Sequence, residues 1–83
     1  MPNTEKDSFL YAFGQNLAEI RRGKKMSQEQ LAFSAEIDLG TLSKLERGLL
    51  NISIYNTYKL ARALNITNSE LFKFQFPKTK NKK

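Results

Sequence analysis

Two short segments in the middle of the chain constrain its fold most. The first is SQEQLA, residues 27–32, and the second is LSKLERG, residues 42–48. Each has the apolar spacing of a short helix, and Ser27 with Gln30 has the pattern of a capping box. Only residues 36–38 remain between the two helices, which predicts a tight turn and a steep crossing angle with Ala32 at the contact. The pattern therefore predicts a helix-turn-helix unit whose second helix is presented outward.

The composition limits the chemistry that this chain can perform. It has 83 residues, of which 40% are hydrophobic, enough for one domain with a modest core. It contains no cysteine and no histidine, which excludes disulfides, thiol nucleophiles and imidazole bases and removes the commonest zinc ligands. Its 8 acidic residues show no paired arrangement. We therefore predict that the chain is not an enzyme, that it uses no cofactor or metal, and that it has no evident small-molecule ligand.

The charge favours a polyanionic partner. The net charge is +6, but Lys78, Lys80, Lys82 and Lys83 all lie in the last six residues, and 6 minus 4 leaves only +2 for the rest. No apolar run approaches the ~20 residues that cross a bilayer, and residues 1–7 lack the pattern of a signal peptide. We expect no membrane partner, a cytoplasmic location, and association with the nucleoid through DNA.

Helical spacing and capping residues predict an all-α domain of five helices over residues 8–76. A flexible arm, residues 1–7, precedes it, and a basic disordered tail, residues 77–83, follows. Asp7 or Ser8 is expected to cap the first helix. Four later residues are expected to begin the other helices: Ser27, Asp38, Ser53 and Thr67. The buried face of the fourth helix is predicted from spacing as Ile54, Thr57, Tyr58, Ala61 and Leu64.

The run from Phe13 to Phe72 resembles the phage-repressor and Cro-type helix-turn-helix family. The matching residues are Phe13-Gly14, Leu17, Ile20-Arg21, Ser27-Gln28-Glu29, Leu31-Ala32, Leu42-Ser43, Glu46-Arg47-Gly48, Ile52-Ser53, Ala61, Leu64 and Leu71-Phe72. The resemblance implies a compact lambda-repressor-like fold and a bacterial or phage transcription regulator. Within the family, the run from Arg47 to Ser53 most resembles restriction–modification controller proteins.

The same resemblance implies a role for each matching position. Base-facing positions are Leu39, Gly40, Ser43 and Lys44. Contacts to the DNA backbone fall to Gln28, Thr41, Arg47 and Asn51. Arg21 and Glu46 match a structural ion pair. The chain departs from the family pattern where Glu36 and Lys25 replace glycines, and Glu36 then requires an uncommon positive φ or a shifted turn.

We predict that the protein binds double-stranded DNA as a homodimer on a pseudo-palindromic operator, because one recognition helix alone gives poor affinity. The predicted dimer interface consists of Leu49, Leu50, Leu71, Phe72, Phe74 and Phe76. The alternative for these aromatics is a C-terminal segment tucked against the core. Four other aromatics are expected in the core or at its edge: Phe9, Tyr11, Phe33 and Tyr55. The rival function is an antitoxin-like or scaffold protein that uses the fold mainly to bind another protein.

Overall fold

The structure is a computed structural model, and it describes residues 4–77. Four α-helices follow one another: α1 (Glu5–Gly23), α2 (Gln28–Ala35), α3 (Leu39–Glu46) and α4 (Ile54–Leu64). A 3₁₀ helix, Asn68–Phe72, is the last helical element of the described residues. The predicted all-α class is confirmed. The fifth predicted helix is present as a 3₁₀ helix, in keeping with its length of five residues, because such helices occur in short pieces.

The first helix begins earlier than the sequence analysis expected. Thr4 is its N-cap, and the Thr4 hydroxyl accepts a hydrogen bond from the Asp7 backbone N–H at 3.0 Å. The predicted caps Asp7 and Ser8 are therefore wrong, and residues 5–7 are helical instead of a flexible arm. Residues 1–3 of that arm and residues 78–83 of the predicted tail lie outside the described residues.

The other α-helices begin where the sequence predicts. The Ser27 hydroxyl accepts from the Gln30 N–H at 3.0 Å, and the Gln30 side chain accepts from the Ser27 N–H at 2.8 Å. Asp38 caps α3 through Oδ2 and Ser53 caps α4 through Oγ. At Thr67, the backbone N–H donates to the Glu70 side chain at 3.4 Å. These bonds satisfy donors that a helix N-terminus leaves free.

All four α-helices end in the same way, with one residue in the left-handed conformation. These residues are Lys25 (φ 62°), Glu36 (φ 59°), Gly48 (φ 77°) and Asn65 (φ 58°). In each case, the N–H of this residue and that of its successor bond back to carbonyls three and five residues earlier, as in a Schellman motif. Gly48 lies against α1: a Cβ there would sit 2.7 Å from the Cα of Tyr11.

The core is aliphatic and receives side chains from every element. Seven leucines have at most 2% of their surface exposed. They are Leu17, Leu31, Leu42, Leu45, Leu60, Leu64 and Leu71. The predicted inner face of α4 is partly wrong, because Ile54 is 89% exposed and Tyr58 is exposed, while Leu60 is buried. Thr57, Leu60, Ala61 and Leu64 also fit helical spacing, so α4 is rotated toward this set.

The C-terminal aromatics pack against their own chain. Leu71 is fully buried, and the Phe72 ring lies 5.3 Å from that of Phe13. Phe74 and Phe76 pack on the Phe9 ring at centroid distances of 5.5 and 5.4 Å. The amide of Asn16 on α1 donates to the carbonyls of Glu70 and Leu71, which fixes the 3₁₀ helix on α1.

The predicted dimer interface is therefore wrong at Leu71, which has no surface left for a partner. Half-buried Phe72 and Phe74 belong to the tucked segment, and Leu50 also packs against the core. Phe76 and Leu49 remain more than half exposed. The expectation for the other aromatics fails most clearly at Phe33, which is 86% exposed on α2. Tyr11 and Tyr55 are exposed as well, and Phe9 alone lies at the core edge.

Candidate nucleic-acid interface

The α2–α3 unit is held by small and aliphatic residues at its inner side. The turn consists of residues 36–38, and Ala32 and Ala35 are buried between the helices. Leu42 and Leu45 of α3 point inward and are buried. Because the inner side of α3 is filled, its opposite side is free to meet another molecule.

The four predicted base-facing residues lie on or near that free side of α3. Leu39 is 42% exposed, Gly40 and Lys44 are exposed, and Ser43 is half-buried. A Cβ at Gly40 would approach only the Asp38 carboxylate, at 3.1 Å, so packing within the chain does not require glycine there. This surface offers one cationic donor, one hydroxyl and one apolar contact.

The four residues predicted to bind the DNA backbone differ in how available their side chains are to a ligand. Thr41 is half-buried in the first turn of α3, and Asn51 is exposed in the loop between α3 and α4. Arg47 is exposed, and its Nε donates to the Ser43 carbonyl at 3.4 Å, which leaves most of its guanidinium donors available. Gln28 is half-buried, and its Nε2 donates to Glu46 Oε1 at 2.8 Å.

Arg21 and Glu46 form the predicted ion pair, which links α1 to the end of α3. Arg21 Nε lies 2.7 Å from Glu46 Oε2, and Nη2 lies 3.0 Å from Oε1. Both residues are buried. Arg21 Nη1 also donates to the Met26 carbonyl at 2.8 Å. With Gln28, the carboxylate receives three hydrogen bonds, so the charge of this buried pair is well satisfied.

Gly14 permits the close contact between α1 and α3 beside this pair. A Cβ at residue 14 would lie only 2.5 Å from the Glu46 carbonyl oxygen, which is backbone and cannot rotate away. The missing side chain at Gly14 thus lets α3 lie close against α1. Together, Gly14 and the Arg21–Glu46 pair fix the position of α3 on the domain.

A second exposed surface was missed by the sequence analysis. Ile54, Tyr55 and Tyr58 project from the first half of α4, and the two tyrosine rings stack at 6.2 Å. Lys59 Nζ lies 5.1 Å from the Tyr55 ring and the Arg62 guanidinium 5.4 Å from the Tyr58 ring. The sequence has a second apolar stripe at helical spacing, through Leu60. A buried face along that stripe places these residues on the exposed side of α4.

The profile of the helix-turn-helix family matches residues 17–71, which include the whole α2–α3 unit. The chain belongs to this helix-turn-helix family. It is a DNA-binding transcription regulator and not an enzyme. Within residues 4–77, every helix is too short or too polar to cross a bilayer.

Relatives with similar sequences and structures include restriction–modification control proteins. The control protein C.BamHI of Bacillus amyloliquefaciens is 40% identical over 63 residues, which cover 75% of this chain and 78% of that protein. The crystal structure of the restriction-modification controller protein C.AhdI from Aeromonas hydrophila superposes with a TM-score of 0.78 at 46% identity, covering 78% of this chain and 98% of that one. The clp gene regulator ClgR from Corynebacterium glutamicum is more distant, at 26% identity and a TM-score of 0.73, covering 77% and 83% of the two chains. The resemblance to the phage-repressor family and its controller proteins is thereby confirmed.

Proposed function

We propose that this protein regulates transcription as a homodimer on a pseudo-palindromic operator, with α3 of each protomer in the major groove. The observation that carries the proposal is the free outer side of α3 on a helix whose end is fixed by the Arg21–Glu46 pair. An eight-residue helix is about 12 Å long, close to the ~12 Å width of the major groove. Its action on DNA implies a cytoplasmic location at the nucleoid.

We further propose that the regulated genes belong to a restriction–modification system. The support is the similarity to the restriction-modification controller protein C.AhdI, which is matched over 98% of its length, and to the control protein C.BamHI.

The exposed side of α3 suggests which residues contact bases and which contact phosphates. Lys44 is the donor that fits guanine O6 or N7, Ser43 adds a hydroxyl, and Leu39 fits a thymine methyl group. Gly40 provides no side chain for readout, so DNA shape supplies part of the selectivity. Contacts to phosphate fall to Thr41, Arg47, Asn51 and Gln28, which carry no sequence information.

For the dimer, we infer that the α4 surface serves in place of the C-terminal aromatics, because Leu71 is buried and Phe72 and Phe74 pack against their own chain. Three large apolar side chains within five residues of α4 are more than 40% exposed: Ile54, Tyr55 and Tyr58. Leu49, in the preceding loop, is exposed to a similar extent. Contiguous apolar surface of this kind marks an interface. We infer that a two-fold pairing through this surface presents both α3 helices to the same side of the DNA.

The dimer is tested by sedimentation with a matched pair of variants. Ile54→Asp and Phe33→Asp each replace a side chain that is almost fully exposed, at 89% and 86%, with the same charge. We expect the wild type and Phe33→Asp to sediment as dimers at micromolar concentration and Ile54→Asp as a folded monomer. A wild type that stays monomeric, both free and on DNA, would refute the dimer.

The DNA-binding proposal is tested by selecting duplexes from a random pool and footprinting the result. We expect one enriched sequence with two inverted half-sites about one helical turn apart. Binding that prefers no sequence would remove the operator from the proposal. A chain that binds no duplex at all would favour the antitoxin-like or scaffold function.

A further inference from the structure

The linker between α1 and α2 carries a cluster of basic side chains that the assigned DNA contacts leave unexplained. Arg22, Lys24 and Lys25 are all exposed, and residues 20–28 contain no acidic side chain. Residues 4–77 hold ten basic and eight acidic residues, a net charge of +2, so these three cations within four residues, flanked by the exposed Glu19 and Glu29, form a local excess of positive charge.

This linker is rigidly attached to the end of the recognition helix. The Arg21 guanidinium binds the Met26 carbonyl at 2.8 Å while it pairs with Glu46 of α3. The Met26 N–H donates to the Arg21 carbonyl, and the Lys25 N–H donates to the Arg22 carbonyl. The backbone of the two lysines therefore has a fixed position relative to α3, so only their side chains have to become ordered when they bind a ligand.

Lys25 occupies a position at which its side chain is not needed for folding. Its φ is 62°, a conformation that glycine adopts without steric cost, and the lysine is exposed. No hydrogen bond or ion pair of the Lys24 or Lys25 ammonium group occurs within residues 4–77. Both cations thus remain available to an outside anion.

The phosphate contact predicted next to this linker is only partly available to DNA. The resemblance assigns a phosphate to Gln28, but one of the two donors of its amide is engaged by Glu46 at 2.8 Å. Gln28 thus has one amide donor left for a phosphate, while its other donor helps to position the α1–α2–α3 junction. The lysines directly before α2 can supply the charge that a half-engaged neutral amide cannot.

We propose that Lys24 and Lys25 bind phosphates of the DNA backbone next to the groove that receives α3. The proposal rests on the proposed DNA binding and extends the binding surface from α3 to the α1–α2 linker. Phosphate is the same on every sequence, so these two lysines add affinity without adding specificity.

The test uses a random-sequence duplex of about three helical turns, because phosphate contacts need no operator. Affinity is measured between about 50 and 200 mM salt for the wild type, Lys25→Gly, Lys24→Gln and Lys25→Arg. Lys6→Gln is the control, since it removes the same charge about 25 Å away, at the other end of α1.

Each lost phosphate contact should lower the salt exponent by about 0.9, which makes the loss of affinity across that range about 3- to 4-fold smaller. We expect this change for Lys25→Gly and Lys24→Gln, while Lys25→Arg and Lys6→Gln keep the wild-type salt dependence. The urea midpoint of Lys25→Gly should not fall, which separates weaker binding from unfolding.

Two outcomes overturn the proposal and are distinct from each other. If Lys25→Gly and Lys24→Gln match Lys6→Gln in affinity and salt dependence, the linker does not touch DNA, although the α3 surface still can. If the wild type binds no duplex at low salt, the DNA-binding proposal itself fails and this one falls with it.

Discussion

Replacing Glu36 by glycine should stabilise the protein, whereas replacing Gly48 by alanine should destabilise it. Both residues end a helix in the left-handed conformation, at φ 59° and φ 77°. Their surroundings differ: Glu36 is exposed, while a Cβ at Gly48 would meet the Tyr11 backbone at 2.7 Å. Substitution should therefore have opposite signs at these two of the four copies of the motif.

The magnitudes follow from three contributions. A residue other than glycine costs about 1–2 kcal/mol in the left-handed conformation. Glycine removes this cost, but the greater entropy of the unfolded chain offsets about 0.4–1 kcal/mol of the gain. Glu36→Gly should thus gain about 0.5–1 kcal/mol. Gly48→Ala brings the cost of the left-handed conformation and a further cost of about 1–3 kcal/mol for overpacking against backbone. It should therefore lower the free energy of unfolding by about 2–4 kcal/mol.

Urea denaturation followed by circular dichroism measures both changes, with thermal melting as a second readout. A gain of 1 kcal/mol corresponds to about 4–8 °C in a domain of this size. Asn65→Gly is one control and should be close to neutral, because asparagine tolerates its φ of 58°. Gly23→Ala is the other: nothing lies within 4 Å of its added Cβ, so it should not destabilise.

A destabilised Glu36→Gly would refute the left-handed geometry of the α2–α3 turn. A neutral Gly48→Ala would show that the α3 end does not lie against Tyr11. Unchanged m values are expected throughout, since none of these substitutions alters the surface exposed on unfolding.

Other predictions follow from the same packing. Ala32→Leu should destabilise the fold by about 1–3 kcal/mol in urea titration, because the buried α2–α3 contact cannot absorb the added volume. Glu46→Ala should cost about 3–5 kcal/mol by leaving the Arg21 guanidinium buried and unpaired; a loss below about 1 kcal/mol would contradict the buried pair. Phe74→Asp should lower the urea midpoint, because Phe74 packs on Phe9, and a fully stable variant would contradict the tucked segment. Lys44→Ala should cost about 1–3 kcal/mol on the selected operator and much less on random DNA, as measured by fluorescence anisotropy; equal losses would assign Lys44 to phosphate.

The sequence by itself determined the features that depend on near neighbours along the chain. Ser27, Asp38 and Ser53 cap their helices through the N–H three residues later, so the residue and its partner are read together. For the same reason, the helix-turn-helix motif and its outward-facing helix could be predicted before any packing was known. At Glu36, where the family pattern has glycine, the resemblance left a positive φ or a shifted turn open, and the structure has the positive φ.

Only the tertiary structure decided which side of an element meets the core. Helical spacing fits Ile54 and Leu60 equally well, and the neighbouring helices select Leu60. The aromatics after Leu71 fit a partner as well as the core, until Asn16 and the Phe9 ring on α1 fix them on their own chain. Gln28 donates a hydrogen bond to Glu46, which lies 18 positions away in the sequence. These choices depend on surfaces that meet only after folding, and spacing along the chain does not encode which surfaces meet.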